Sequence, residues 1–188
     1  MIGAAQPDSL SLGERARVRV PAALRDLLAP EAPALDLAVF RITIAIFLVW
    51  NESVVLSDTI AALPPEARVA PTGVGWLVPL LTITPSLVRA VRWVLWAACL
   101  TGGLGLFSRA SFVIASLAAS YVMLAPQLTG AVFHDHHLLW FAVLLAASPC
   151  GDALSIDAWL ARRRGRPLPT RGRAHGAAIR LAWLFVGC

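Results

Sequence analysis

Residues 87–128 read LVRAVRWVLWAACLTGGLGLFSRASFVIASLAASYVMLAPQL and decide the fold that we predict for the chain. The run is apolar on both sides of Ser108 and Arg109. Each half has about the 20 residues that a helix needs to cross a bilayer. We therefore predict one membrane span over Leu87–Phe107 and another from Ala110 to about Leu128, joined by a tight connection.

Three glycines, Gly102, Gly103 and Gly105, lie near the end of the first of these spans. A glycine cluster can indicate a dinucleotide-binding loop, but such a loop follows a strand, and none is predicted here. Small residues inside an apolar helix instead permit a close approach of neighbouring helices. We predict that these glycines serve helix packing.

The composition of the whole chain agrees with a membrane protein. Hydrophobic residues make up 58% of the 188 positions, charged residues 14%, and the mean hydropathy is +0.71, which lies outside the range of soluble domains. All sixteen basic residues are Arg, a bias typical of GC-rich bacterial genes. The lack of Lys excludes lysine-based chemistry from these residues. Because the arginines flank apolar runs, we expect no nucleic-acid partner.

Further apolar runs extend the prediction outward from the central pair. Leu35–Leu56 predicts a first span, and His136–Cys150 predicts a fourth that could continue as helix past Pro149 toward Trp159. The fold class predicted is an all-α, polytopic transmembrane helix bundle. Its parts are a basic tail over 1–34, a transmembrane domain over 35–188, an interfacial helix near 21–28, an interfacial or re-entrant segment at about 70–84, and the incomplete start of a fifth span at 177–188.

The arginines predict the orientation of the bundle. The basic tail and the Arg-rich loop at 162–173 should both face the cytoplasm, which requires an even number of crossings between them, as four spans provide. The predicted location is the cell membrane, with the N-terminus cytoplasmic and His134–His137 extracytoplasmic. Arg162–Arg166 should contact anionic lipid headgroups, and Arg41 should snorkel to the cytoplasmic surface.

The candidate site is the polar cluster within Val132–Trp140, which holds three of the four histidines. Histidine titrates near neutrality and can pass protons at a membrane surface. The predicted catalytic residues are His134, Asp135 and His136, and the predicted ligand-binding residues are His137, Asn51, Glu52 and Arg41. Such histidines also often only face headgroups and water. We predict no metal site, because only His134 and His137 would share a helix face.

Four short segments resemble one known family. They are Leu37–Arg41, Gly103–Arg109, the polar pair before His136 with Leu138 and Leu139 behind it, and Pro149–Asp152 with Ser155–Asp157. In order and spacing they resemble the N-terminal membrane region of the vitamin K-dependent gamma-carboxylase and its bacterial HTTM branch. The likeness covers roughly Leu35–Cys188.

The resemblance implies a function and a cofactor. The family's membrane region binds a reduced vitamin K-type quinone, here menaquinone or vitamin K hydroquinone, and couples its oxygenation to proton abstraction from glutamate side chains. It implies a role for His136 in the quinone chemistry, with Asp135 where the carboxylase has a polar amide. The family's basic lysine on the next helix has no counterpart in this chain. We therefore expect a truncated, carboxylase-like protein that needs a partner helix or a missing C-terminal part.

Two other functions stay open at this point. The chain could be a non-catalytic membrane scaffold or partner-binding subunit in which the histidines are incidental. It could also be a small four-helix, DoxX-like membrane protein.

Overall fold

A computed structural model of the protein describes residues 22–69, 76, 82–129 and 135–187, which are mostly helical as predicted. The helices are α1 (Ala22–Leu28), α2 (Ala34–Trp50), α3 (Glu52–Val55), α4 (Ser57–Ala61), a 3₁₀ turn (Pro65–Ala67), α5 (Pro85–Leu104), α6 (Ser108–Gln127), α7 (His136–Ala147), α8 (Ile156–Arg163) and α9 (Arg173–Gly187). The strands are β1 (Ala32–Pro33) and β2 (Arg171–Gly172). Within the described ranges, α5 and α6 are long and apolar enough to cross a membrane, and α7 is a shorter apolar helix.

Local sequence sets the ends of α5. The hydroxyl of Thr84 accepts a hydrogen bond from the Leu87 N–H at 3.3 Å, and Pro85 occupies the first turn, where its missing N–H costs nothing. At the other end Gly105 adopts a left-handed backbone with φ of 74°, and the N–H of Leu106 donates to the carbonyl of Thr101 at 2.9 Å. This is the glycine-terminated ending that closes many helices.

The fourth predicted span is shorter than expected. α7 ends at Ala147, so the alternative of a helix continuing past Pro149 toward Trp159 is wrong. Ser148 has an extended backbone with ψ of 162°, the conformation that a proline imposes on the residue before it. A loop then leads to the separate helix α8, which the Ser155 hydroxyl caps at 2.8 Å.

The first predicted span is also interrupted. α2 ends at Trp50 because Asn51 takes an extended conformation, and the Asn51 side chain then caps the short helix α3 by accepting from the Val54 N–H at 3.3 Å. The predicted interfacial helix near 21–28 coincides with α1. Most of the predicted interfacial or re-entrant segment at 70–84 lies outside the described residues, as do residues 1–21 of the basic tail.

Four helices, α2, α5, α6 and α7, pack around a shared apolar core in which each contacts the next and α7 returns to α2. Successive helices are antiparallel, because Arg41 in the first half of α2 binds the carbonyls of Gly103 and Cys150 near the ends of α5 and α7. The far end of α2 meets the start of α7, where Ser53 binds Asp135. The apolar side chains of this core that are completely buried include Leu37, Leu48, Leu95, Phe112, Val122 and Leu145.

The glycines of α5 allow its neighbours to come close. A Cβ added at Gly102 would lie 3.1 Å from the Phe112 ring of α6, and one at Gly103 would lie 3.3 Å from Cβ of Ala45 on α2. Both distances are shorter than ordinary carbon contacts. The predicted packing role of these glycines is confirmed.

A short strand pair joins the segment before α2 to the segment before α9. β1 and β2 are antiparallel, with Ala32 opposite Gly172, and the N–H of Ala34 donates to the Thr170 carbonyl at 2.9 Å. Helix α9 then packs against α2 and α7. We call the end of the bundle that holds β1, β2 and Arg41 the clasp end, and the end where α7 begins at His136 the histidine end.

Alanine substitutions at two glycines with similar backbone conformations distinguish the cost of a steric clash from the cost of a left-handed backbone. Gly105 and Gly165 have φ of 74° and 69°, but a Cβ at Gly105 would lie 2.2 Å from Cβ of Ser155, whereas one at Gly165 would meet nothing within 4 Å. Gly165→Ala should therefore cost only the left-handed penalty of roughly 1–2 kcal/mol. Gly105→Ala should lower the free energy of unfolding by about 3 kcal/mol or more. Denaturant unfolding in detergent measures both, and equal losses would contradict the close packing of Gly105 on Ser155.

Candidate functional site

The polar cluster of the histidine end lies at the start of α7. His136 and His137 are exposed, their ring centroids lie 6.3 Å apart, and the His137 ring lies 5.9 Å from that of Phe141 in an edge-on arrangement. Asp135 precedes the helix, and its carbonyl accepts from the Leu138 N–H at 3.0 Å. His134, predicted to be catalytic, lies outside the described residues.

One hydrogen bond ties this cluster to the end of α2. The buried Ser53 hydroxyl donates to Oδ2 of Asp135 at 2.5 Å. Ser53 follows the predicted ligand-binding residues Asn51 and Glu52, so the bond brings their backbone beside the start of α7. Asn51 uses its side chain to cap α3, whereas the Glu52 side chain is exposed. Their roles in ligand binding stay predictions.

The same end holds an ion-pair group that the sequence did not reveal. Asp58 on α4 accepts from Arg92 at 2.6 Å and from Arg89 at 3.3 Å, both on α5. Partial burial alone would raise the pKa of the Asp58 carboxyl, but the hydrogen bonds and charges of Arg92 and Arg89 outweigh it and hold that pKa below its ordinary value. The guanidinium of Arg92 also lies 5.2 Å from the Trp96 ring centroid. The group fixes α4 to the start of α5.

Arg41 lies at the clasp end and is completely buried. The prediction that it snorkels to the surface is therefore wrong. Its guanidinium donates to the carbonyls of Cys150, of Leu154 at 2.6 Å, of Ala153 at 3.3 Å and of Gly103 at 3.4 Å. The Arg41 charge thus faces carbonyls at the end of α5 and in the loop that follows α7.

Asp157 completes the clasp end beside Arg41. Its carboxylate accepts from the N–H groups of Phe107 and Ser108 at 3.0 and 2.9 Å and from the Ser108 hydroxyl at 3.0 Å. Its own N–H donates to the Gly105 carbonyl at 3.0 Å. The carboxylate thereby pairs the first donors of α6, which have no partner within that helix.

The clasp end also holds a buried histidine whose partner the sequence did not predict. Nε2 of His175 on α9 lies 3.0 Å from Oδ2 of Asp152, and the histidine is 1% exposed. His175 stands alone in the sequence without a spacing pattern, so only the tertiary contact identifies the pair. Among the described residues, no three His, Cys, Asp or Glu side chains are grouped so that they could hold a metal ion.

An apolar groove runs along the outside of the bundle between α2 and α5. It has a volume of about 650 Å³. It extends from Gly103 and Leu104 near the clasp end to Trp50 and Trp96 near the histidine end, a length of roughly 12 Å for eight helical residues. Exposed side chains such as Leu100 form its rim, so the groove is open along its side.

Comparison with known proteins returned no matching family model, no similar curated protein and no similar solved structure. The function must therefore be argued from the residues of the chain. Three features carry chemistry or binding: the polar cluster of the histidine end, the groove, and the polar groups of the clasp end.

Replacing Arg41 should destabilise the protein strongly. Arg41→Gln leaves carbonyls of Cys150, Ala153 and Leu154 without their donor, and each unpaired buried group costs about 1–3 kcal/mol. We expect the free energy of unfolding in detergent to fall by about 3 kcal/mol or more. Arg41→Lys keeps the charge but loses the planar guanidinium, so its free energy of unfolding should lie between those of the wild type and of Arg41→Gln.

The matched control for this prediction is Arg164→Gln. Arg164 is exposed at the same end of the bundle, and its replacement should change the free energy of unfolding by less than about 0.5 kcal/mol. An Arg41→Gln protein as stable as the Arg164→Gln protein would contradict the structural role of Arg41.

Proposed function

We propose that the protein is an integral membrane protein that binds an isoprenoid quinone, with its apolar chain in the groove between α2 and α5. The observation that carries this proposal is the groove itself. Its lining is mostly apolar, it is open at the side that would face lipid, and it ends beside Trp50, one residue before Asn51 and Glu52. An isoprenoid chain fits such a lining, and its polar head would lie toward the histidine end.

Exposed apolar side chains support the insertion of all four bundle helices. Phe47 on α2, Leu100 on α5, Leu117 on α6 and Trp140 on α7 each have about half or more of their surface exposed. Proteins in water rarely expose contiguous apolar patches beyond a few hundred Å². In a bilayer the same side chains would face lipid.

The distribution of arginines supports an orientation with the clasp end in the cytoplasm. The pairing of β1 with β2 joins the end of the basic tail to the Arg-rich loop, and Arg-rich segments stay on the cytoplasmic side. The histidine end would then be extracytoplasmic, as the sequence predicts. The protein would be a multi-pass protein of the cell membrane.

The chemistry proposed for the site is proton transfer at His136. Dioxygen, the oxidant that the resemblance implies, would oxidise bound hydroquinone to quinone, and the two electrons and two protons released would reduce it to hydrogen peroxide. The exposed imidazole of His136 would accept one of these protons from the hydroquinone hydroxyl and pass it to the reduced oxygen, and water would carry the other. Asp135, held by Ser53, would fix the backbone at the start of α7 and so position His136.

A non-catalytic scaffold is the second candidate function. One observation favours it: Arg41 of the segment Leu37–Arg41 donates to the carbonyls of Gly103 in Gly103–Arg109 and of Cys150 in Pro149–Asp152, so these segments perform a structural task. A protein could keep these segments for stability alone. The two candidates differ in whether the protein turns over a bound quinol.

Quinone binding should depend on the groove. A menaquinone analogue added to the purified full-length protein should quench the fluorescence of Trp50 and Trp96. Leu100→Gln places an amide in the groove and should raise the dissociation constant about tenfold, which corresponds to roughly 1.4 kcal/mol.

Leu117→Gln is the matched control for the groove. Leu117 is 69% exposed on α6, Leu100 is 65% exposed on α5, and only Leu100 lines the groove. Leu117→Gln should leave the dissociation constant unchanged. Equal weakening by both variants, or quenching that does not saturate, would count against a quinone in the groove.

The redox role is expected to fail without the imidazole of His136. His136→Gln keeps a hydrogen-bonding side chain but cannot take a proton, and it should lower menaquinol oxidation by about 100-fold or more while leaving the dissociation constant unchanged. Turnover is measured in membranes that contain the full-length protein. Undiminished turnover in His136→Gln would refute the catalytic role, and intact binding without turnover in the wild type would favour the scaffold.

A further inference from the structure

A cavity of about 290 Å³ lies at the clasp end between the start of α2 and the segment that follows α8. Arg162 and Arg166 both line it and are both exposed, and Nε of Arg162 donates to the Ala158 carbonyl at 3.4 Å. Leu35 and Leu168 contribute apolar lining. Among the described residues that line the cavity, Asp152 is the only carboxylate. Its Oδ2 lies within hydrogen-bonding distance, 3.0 Å, of Nε2 of His175.

The backbone after α8 brings the two arginines to the same cavity. Gly165 adopts a left-handed conformation with φ of 69°, and its N–H donates to the Arg162 carbonyl at 3.0 Å. The N–H of Arg166 then donates to the Ala161 carbonyl at 3.0 Å. This reversal returns Arg166 to the side of the helix end that carries Arg162.

The neighbouring arginines do not take part in the cavity. The guanidinium of Arg163 lies 4.0 Å from the Trp159 ring centroid, where it stacks on the indole. Arg164 is exposed and is not among the lining residues. A run of four arginines within five positions is thus divided into two that line a cavity and two that do not.

We propose that this cavity binds the phosphate headgroup of an anionic phospholipid from the cytoplasmic leaflet. A guanidinium group is opposite in charge to a phosphate, and its fork of N–H donors fits two phosphate oxygens. The apolar side chains beside them fit the glycerol and the first carbons of the acyl chains, which a free phosphate lacks. The inference rests on the proposed membrane orientation and adds to it one defined lipid site in place of a diffuse basic surface.

The test compares two double variants of equal charge. Short-chain phosphatidylglycerol, below its critical micelle concentration, is titrated into the purified full-length protein, and binding is followed by the shift in melting temperature. Arg162→Gln with Arg166→Gln should raise the apparent dissociation constant about tenfold or more. Arg163→Gln with Arg164→Gln removes the same charge and should change it less than about twofold.

Each other outcome overturns the proposal. Equal weakening by the two double variants would mean a diffuse electrostatic surface. Inorganic phosphate binding as tightly as the lipid would mean a free-anion site, and equal stabilisation by phosphatidylcholine would mean that the headgroup charge is irrelevant.

Failure of the membrane proposal would look different from failure of the lipid site. Release of the protein from membranes by alkaline carbonate would overturn the membrane proposal. Failure of the quinone proposal would also be distinguishable from failure of the lipid site. Leu100 lines the groove between α2 and α5 and not the cavity, so Leu100→Gln should leave phosphatidylglycerol binding unchanged.

Discussion

The clasp end of the molecule depends on the buried guanidinium of Arg41. Removing such a charge from water is costly unless it is fully hydrogen-bonded. Here the compensation comes from backbone carbonyls, of Gly103 on α5 and of Cys150, Ala153 and Leu154 after α7. The Gly103 carbonyl lies at the C-terminal end of α5, which carries partial negative charge, and the other three carbonyls lie in the loop that follows α7. Arg41 thereby links the first half of α2 to the ends of α5 and α7, and α2 runs antiparallel to both.

This arrangement gives a physical meaning to the family-like segments. Leu37–Arg41 supplies the cation, and Gly103–Arg109 supplies one carbonyl and the tight glycine ending. Pro149–Asp152 supplies the Cys150 carbonyl, and Ser155–Asp157 supplies the carboxylate that pairs the start of α6. These segments therefore have a structural role in this chain, whereas the chemistry proposed for the protein depends on the segment around His136 at the opposite end.

Sequence reasoning succeeded where local forces decide the structure. The apolar runs predicted α5 and α6 to within a few residues, and the glycines of α5 pack as predicted. It failed where distant residues decide: Arg41 was expected at the surface because it lies near a helix end, but carbonyls more than 100 residues away hold it inside. The pairing of Ala32 with Gly172 and of His175 with Asp152 likewise has no local signal. The end of α7 is different, because Pro149 itself disfavours a helical conformation at Ser148 and could have predicted that end from the sequence.

The two ends of the bundle differ in what their polar groups are available to do. At the clasp end, Nη1 and Nη2 of Arg41 donate to backbone carbonyls, whereas its buried Nε has no hydrogen-bond partner among the described residues. The Asp157 carboxylate accepts from two backbone N–H groups and from the Ser108 hydroxyl. At the histidine end, the side chains of His136 and Glu52 remain exposed on a backbone that Ser53 and Asp135 hold in place. Reactive groups on a rigid support are what a functional site requires. The groove connects the two ends, because Gly103 belongs to both the Arg41 contact and the groove lining. A ligand in the groove would thus be anchored beside the rigid joint and would present its polar head where exposed side chains can act on it.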